Sequence, residues 1–227
     1  RESRRRQSSS SSAGFDGMRV PSSASMPEGQ FLSWQPGTLY SDKTDTIPWL
    51  LEPGSDLVIQ VHMNPSGKPE PFECSVGLYF SDEPPVATPY KIKLTSLAID
   101  IPPNEQKFEV KDEFVLPGDV EVTRVLPHAH YLCRRMEGYA ILPDGSKKWL
   151  LLIKNWDFNW QGDYQYQNSV FLPKGTKITM NYTFDNTTNN IANPNSPPSR
   201  VIYGPQSSDE MAELWFQLVL KNPDDRP

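Results

Sequence analysis

The sequence predicts an all-β protein, a sandwich or jelly roll, and three observations carry that expectation. Apolar and polar residues alternate over short runs, the pattern of strands that bury one face. Prolines number 23 in 227 residues, about twice the usual share of roughly 5%, and they cluster with glycine in turn-like groups between the runs. No segment of useful length keeps its apolar residues at the 3.6-residue period of a helix.

The elements follow in order. Residues 1–29 open with Arg1, Arg4, Arg5 and Arg6 and run through Ser8 to Ser12, a composition that buries little and reads as a flexible linker. Asp56 to Met63 alternates around Leu57, Ile59 and Val61, and Ser75 to Phe80 follows as a second strand. Tyr90 to Ile101 and Lys107 to Leu116 come next, separated by the turn Pro102-Pro103-Asn104, with Leu116-Pro117-Gly118-Asp119 closing the pair. Then Glu121 to Cys133, Gly138 to Leu142, Lys148 to Asn155, Tyr164 to Phe171, Lys177 to Phe184 and Glu213 to Leu220 have strand spacing. Pro143-Asp144-Gly145 and Pro173-Lys174-Gly175 supply turns, and the Asn/Pro-rich run from Asn186 to Pro198 reads as a surface loop.

Charge and hydropathy exclude some classes. The net charge is −6, from 22 basic and 28 acidic residues, and no basic face stands out beyond the first residues, so nucleic acid is not an expected partner. The longest apolar runs, Trp149 to Ile153 and Leu218 to Leu220 with their neighbours, fall far short of the roughly 18 residues of a membrane span. The chain begins at Arg1 without the apolar core of a signal peptide and reads as an internal or trimmed piece of a longer chain. Two cysteines, Cys74 and Cys133, fit one disulfide, two separate thiols, or pairing to residues elsewhere.

Chemistry concentrates at few positions. Of three histidines, two lie in His128-Ala129-His130, where strand alternation sets both rings on one face beside Leu126 and Leu132. Cys133, three residues after His130, falls on the opposite face and is not an expected ligand. Met211, in Ser207-Ser208-Asp209-Glu210-Met211, adds a thioether. Two imidazoles with a thioether suit copper that cycles through Cu(I). A cupin would need a glutamate nearer than Glu137 and a histidine near Thr176 to Ile178, and no histidine follows His130. Zinc prefers imidazole, thiolate and carboxylate to thioether.

These residues carry a resemblance. The chain resembles the copper type II, ascorbate-dependent monooxygenases, the group of peptidylglycine α-hydroxylating and dopamine β-monooxygenases, and especially their bacterial relatives. Leu57-Val58-Ile59-Gln60-Val61-His62 is similar to the strand bearing the last histidine of that family's electron-transfer copper site, and Cys74 with Ser75 to Phe80 to the strand after it. His128-Ala129-His130 is similar to the paired histidines of the oxygen-binding copper, and Ser207 to Met211 to the segment supplying its methionine. The likeness spans roughly residues 46 to 221.

It implies one complete jelly-roll domain, residues 88–221, preceded by the C-terminal part of a similar domain, residues 30–87. It also implies His128, His130 and Met211 as ligands of an oxygen-activating copper, and His62 as one ligand of a second copper. Ascorbate would serve as reductant, and O2 and a small organic substrate as reactants, in the hydroxylation of an unactivated C–H bond. The other ligands of the second copper would come from a missing N-terminal half-domain, in cis or on another chain. An extracytoplasmic setting, periplasmic or secreted, follows by the same analogy.

Several positions depart from the family pattern. Leu126 stands where the amidating enzymes carry an arginine, and Trp215 where they carry a tyrosine, so the substrate cleft at these two residues suits an apolar or aromatic molecule better than a peptide carboxylate. Asn64 stands where bacterial relatives often carry a histidine, Met63 reads as packing, and Gln60 shares the face of His62 as a supporting polar group. Trp156-Asp157-Phe158-Asn159-Trp160-Gln161 reads chiefly as core aromatics. The alternative to an enzyme is a non-catalytic copper-binding or structural jelly-roll module.

Overall fold

The computed structural model describes residues 23–24, 34, 47–48, 50–59, 61, 63, 66–83 and 87–222. Chain contacts divide these residues into two units, one holding those of 51–80 and the other the remainder. Among the described residues there is no helix, and so none long and apolar enough to cross a membrane.

The larger unit is an antiparallel β-sandwich. Its strands are β1 (Pro89–Thr95), β2 (Asp100–Ile101), β3 (Phe108–Val115), β4 (Val120–Ala129), β5 (Cys133–Ile141), β6 (Lys147–Ile153), β7 (Tyr164–Leu172), β8 (Lys177–Phe184), β9 (Val201–Ile202) and β10 (Ala212–Leu220). One sheet runs β1-β10-β4-β7 and the other β3-β8-β5-β6, with β2 and β9 forming a small third pair. Two four-stranded sheets in that order are the connectivity of a jelly roll.

Alternation explains the core. In β8, Ile178, Met180, Tyr182 and Phe184 point inward and are buried, and in β10 Ala212, Leu214, Phe216 and Leu218 do the same from the facing sheet. The sheets approach closely at Gly138 of β5, where an added Cβ would stand 2.9 Å from Leu214 Cδ2; a larger residue there would wedge the layers apart. Tyr182, wholly buried, donates its hydroxyl hydrogen to the Glu213 carbonyl at 2.8 Å. This satisfies a buried polar group and ties the two layers together beside the histidine strand.

Several expectations from the sequence need correction. The run Tyr90 to Ile101 is not one strand: it breaks after Thr95, where the Ala98 N–H bonds Ser96 Oγ at 3.2 Å, a local side-chain bond that competes with the ladder. The run Glu121 to Cys133 also divides, because the chain turns at Tyr131 and Leu132 and β5 begins at Cys133. Leu132 consequently leaves the histidine face and joins the core, and the alternation that set Cys133 opposite the histidines does not extend across this turn. Both cysteines are free thiols, Cys133 buried and Cys74 exposed, so the disulfide option falls away.

A further correction concerns the smaller unit. No described residue of Asp56 to Met63 or of Ser75 to Phe80 joins a sheet, and Leu57, Ile59, Val61, Val76, Leu78 and Phe80 are all exposed. Alternation marks a chain able to be a strand, but a ladder partner and a covering layer make it one. Local turn chemistry survives here nonetheless: in Glu52-Pro53-Gly54-Ser55 the Ser55 N–H bonds the Glu52 carbonyl at 3.1 Å, with Gly54 at φ +78° as a type II turn requires.

The long run after β8 is more than a surface loop. Asn186 is fully buried, and its amide donates to the carbonyls of Pro102 and Ser199 at 2.9 and 2.7 Å, stapling the loop to the β2 end of the sandwich.

Candidate metal centre

The site grows from the register of β4. A bulge between Val122 and Arg124 resets the alternation, after which Val125, Pro127 and Ala129 face the core while Leu126 and His128 face outward. The ladder with β7 ends at the Val125–Tyr164 pair. Pro127, which has no N–H to give, therefore lies where β4 has no β7 neighbour, and the β6–β7 connection is free to fold over His128. On the other side β10 pairs Trp215 with Leu126, Glu213 with His128 and Ala212 with Ala129. One step beyond that last pair, the register brings Met211 level with His130.

Both imidazoles are fixed in tautomer by what they touch. Gln161 donates its side-chain N–H to the Phe158 carbonyl at 2.9 Å, which turns its Oε1 toward His128. His128 Nδ1 lies 2.7 Å from that oxygen and must carry the proton. His130 Nδ1 faces the Asp209 carbonyl at 3.0 Å, again an acceptor only, so it too is the protonated nitrogen. Each ring therefore keeps its lone pair on Nε2, one of the two nitrogens through which a histidine binds metal.

The rings stand 5.2 Å apart, centroid to centroid, with planes at 82°. Two imidazoles sharing one ion through bonds of about 2 Å at a near-tetrahedral angle have centroids about 5 Å apart, so the spacing fits a shared ion. Burial first, and the neighbouring His128 second, hold the His130 ring down to about 4. It is neutral and able to coordinate throughout the physiological range.

The surroundings of His130 are mostly main chain and aromatic. Trp156, buried, donates its indole N–H to the His130 carbonyl at 3.1 Å. Phe158 meets the His130 ring edge to face at 5.8 Å and packs on Tyr131 at 4.3 Å. The aromatic segment therefore splits: Trp156 is core, Phe158 walls the site, and Trp160 is exposed.

Glu210, which the sequence offered only as a neighbour of Met211, has no exposed surface. Its Oε1 accepts the N–H groups of both His130 and Met211, the latter at 2.9 Å, and its Oε2 accepts that of Leu132 at 2.9 Å. Burial pushes this carboxyl up to about 8, against the pull of the N–H groups bonded to it. The segment before it is tightly folded: an added Cβ at Gly204 would stand 2.7 Å from Asp209 Cγ and 3.0 Å from its Cβ.

Gln161, Asp209 and Glu210 are the site residues that sequence reasoning passed over. All three sit inside segments whose pattern drew notice, but their roles depend on partners about 33 to 80 residues distant.

Of the expected substrate residues, Leu126 is half-buried and Trp215 buried, its indole N–H donated to Glu213 Oε2 at 3.0 Å. Lys93 lies 3.5 Å from Glu213 and 5.0 Å from the Trp215 ring. The space beside Leu126 and Trp215 amounts to about 10 Å³, roughly one water. A larger recess of about 270 Å³ is lined by Trp156, Trp160, Tyr164, Ile153, Asn155 and Asp157. His62, Gln60 and Asn64 lie outside the described residues, and Met63 is exposed. Among the described residues no three His, Cys, Asp or Glu side chains gather as a metal site, so the candidate rests on two imidazoles and a thioether. No family model and no curated protein matches this chain.

Proposed function

We propose that His128, His130 and Met211 form the oxygen-activating copper site of a copper-dependent monooxygenase of which this chain is a part. The observation that carries the reading is the pair of fixed tautomers. Two rings on one face, each with Nδ1 spent on an acceptor and Nε2 left open, are arranged for one soft-tolerant ion. Copper held there would supply O2 activation and the hydroxylation of an unactivated C–H bond, with an ascorbate-like reductant as electron source.

The chain's own residues do the rest. The Asp209 carbonyl and Gln161 Oε1 hold the two Nδ1 protons and aim the rings; Phe158 shields His130 from water; Met211 provides a weak third donor that favours the reduced ion. The recess beside Trp156 and Trp160 offers an aromatic wall, linked through Trp156 to the main chain of His130, and it suits a small apolar or aromatic substrate better than a charged one. His62, from the segment before the sandwich, would contribute to a second copper completed by residues of another domain or chain, and an extracytoplasmic location accords with such chemistry.

A second reading, a copper-binding jelly-roll module without turnover, draws on the space of about 10 Å³ beside Leu126 and Trp215. Copper stoichiometry and X-ray absorption of the reduced protein, wild type against Met211→Ile, test the main proposal. One copper per chain, with a sulfur scatterer that vanishes in the variant, is the expected result. No retained copper, or no sulfur, overturns it. With copper in place, hydroxylation of aromatic substrates by the protein joined to its preceding domain separates the enzyme from the module.

A further inference from the structure

Glu210 occupies an expensive position. A carboxyl group with no exposed surface is costly to bury, by about 1–3 kcal/mol even when neutral, unless its hydrogen bonds offset the loss. Packing alone would be served better by leucine. The turn at residues 130–132 leaves main-chain N–H groups outside any ladder, and Glu210 accepts two of them, from His130 and Leu132. Capping a turn would explain that much.

Capping does not explain Oε1. The same oxygen that accepts the His130 N–H also accepts the Met211 N–H at 2.9 Å, so one atom joins the main chain of two proposed ligands that lie far apart in sequence. Glu210 is itself anchored: its N–H bonds the Ile202 carbonyl at 3.0 Å and its carbonyl accepts the Gly204 N–H at 3.2 Å. The residue before it presents its carbonyl to His130 Nδ1. Residues 209 and 210 therefore grip His130 at its ring and at its main chain together, while His128 is held separately by Gln161.

We propose that Glu210 is a positioning residue that sets the spacing between His130 and Met211, and with it the entry of the thioether into the metal site. This rests on the copper reading above. In Glu210→Gln one oxygen becomes an NH2 group that faces N–H donors, so part of the clip is lost with little change of shape.

The test begins with metal-free protein, where ring ¹⁵N shifts report the tautomer of each histidine. In Glu210→Gln, His130 is expected to lose its single-tautomer signature while His128 keeps it. Titration with Cu(I) is then expected to show affinity at least tenfold lower, with two imidazoles retained and the sulfur scatterer weakened. A folded variant with both histidines unchanged and Cu(I) affinity within twofold of wild type overturns the proposal, as does equal disturbance of both rings.

Should Glu210→Gln not fold, Glu210→Asp keeps the carboxyl group, shortens the reach by one methylene and is read the same way. Independently, the wild-type amide protons of His130, Leu132 and Met211 should exchange slowly as a group, and fast exchange at Met211 overturns the idea whatever the variants do. A wild type that takes up no Cu(I) sinks the copper reading alone, because the metal-free measurements still decide whether Glu210 spaces His130 from Met211.

Discussion

His128 and His130 belong to one strand end, yet the regions that hold them are built differently. The β9–β10 connection holds His130 through a main-chain carbonyl and a buried carboxyl group, with Trp156 bonded to its carbonyl from behind. The β6–β7 connection holds His128 through one side-chain amide, on a ring that is only half-buried. The first support is built into the fold through buried groups. The second is an attachment that can be changed while the sandwich stands.

That contrast can be broken most forcefully at Glu210. Replacing it with leucine leaves the N–H groups of His130, Leu132 and Met211 without their acceptor, and at 1–3 kcal/mol for each orphaned group the loss should be at least about 3 kcal/mol. Urea denaturation measures it, and a loss below about 1 kcal/mol would show that the His130 side is no more integral than the other.

Acid probes the same side. The unfolded chain protonates a histidine near 6.5, whereas His130 in the fold resists until about 4. The unfolded state therefore binds the extra proton between these values, and this group's contribution to stability is whole above about 6.5 and is lost as the pH falls toward 4. The full span is worth about 3 kcal/mol. An NMR titration of the metal-free protein should show the His130 ring shifts flat down to about pH 5; titration near 6.5 would remove the distinction.

Smaller effects sharpen the picture. Gly204→Ala would press a methyl group against Asp209, whose carbonyl holds the His130 ring, at a cost of about 1–2 kcal/mol and with broadened His130 resonances in the same spectra. Gln161→Ala should change stability least, by under about 1 kcal/mol. Its effect belongs to the metal, where loss of the partner to His128 Nδ1 should weaken copper binding by about 10- to 100-fold. If the variant melts several degrees lower instead, the His128 support is also part of the fold.

The sandwich was legible wherever both faces of a strand are decided by its own residues. Lys177 to Phe184 alternates without a break, and it is β8. The turn at Tyr131 and Leu132 was not, because the chain can leave its ladder there only with acceptors supplied by Glu210, 78 residues from Leu132. Period two alone pointed to neighbouring rings at His128 and His130, and their centroids lie 5.2 Å apart, although β4 ends at Ala129. What fixes their tautomers did not follow, since a glutamine and a carbonyl carry no sign in sequence of what they will face. Leu57 to Val61 misled in the opposite sense: its pattern is as regular as that of β8, but a strand is made by its neighbours.

The two thiols differ in the same way as the regions that carry them. Burial pushes the Cys133 thiol well above its ordinary range, and nothing dissolved in water reaches it; Cys74 lies open. A maleimide dye should therefore take one position without any cysteine being engineered away. A fluorophore at Cys74 would report on residues 51–80 alone, and the appearance of a second, slower labelling event would time the opening of the sandwich itself.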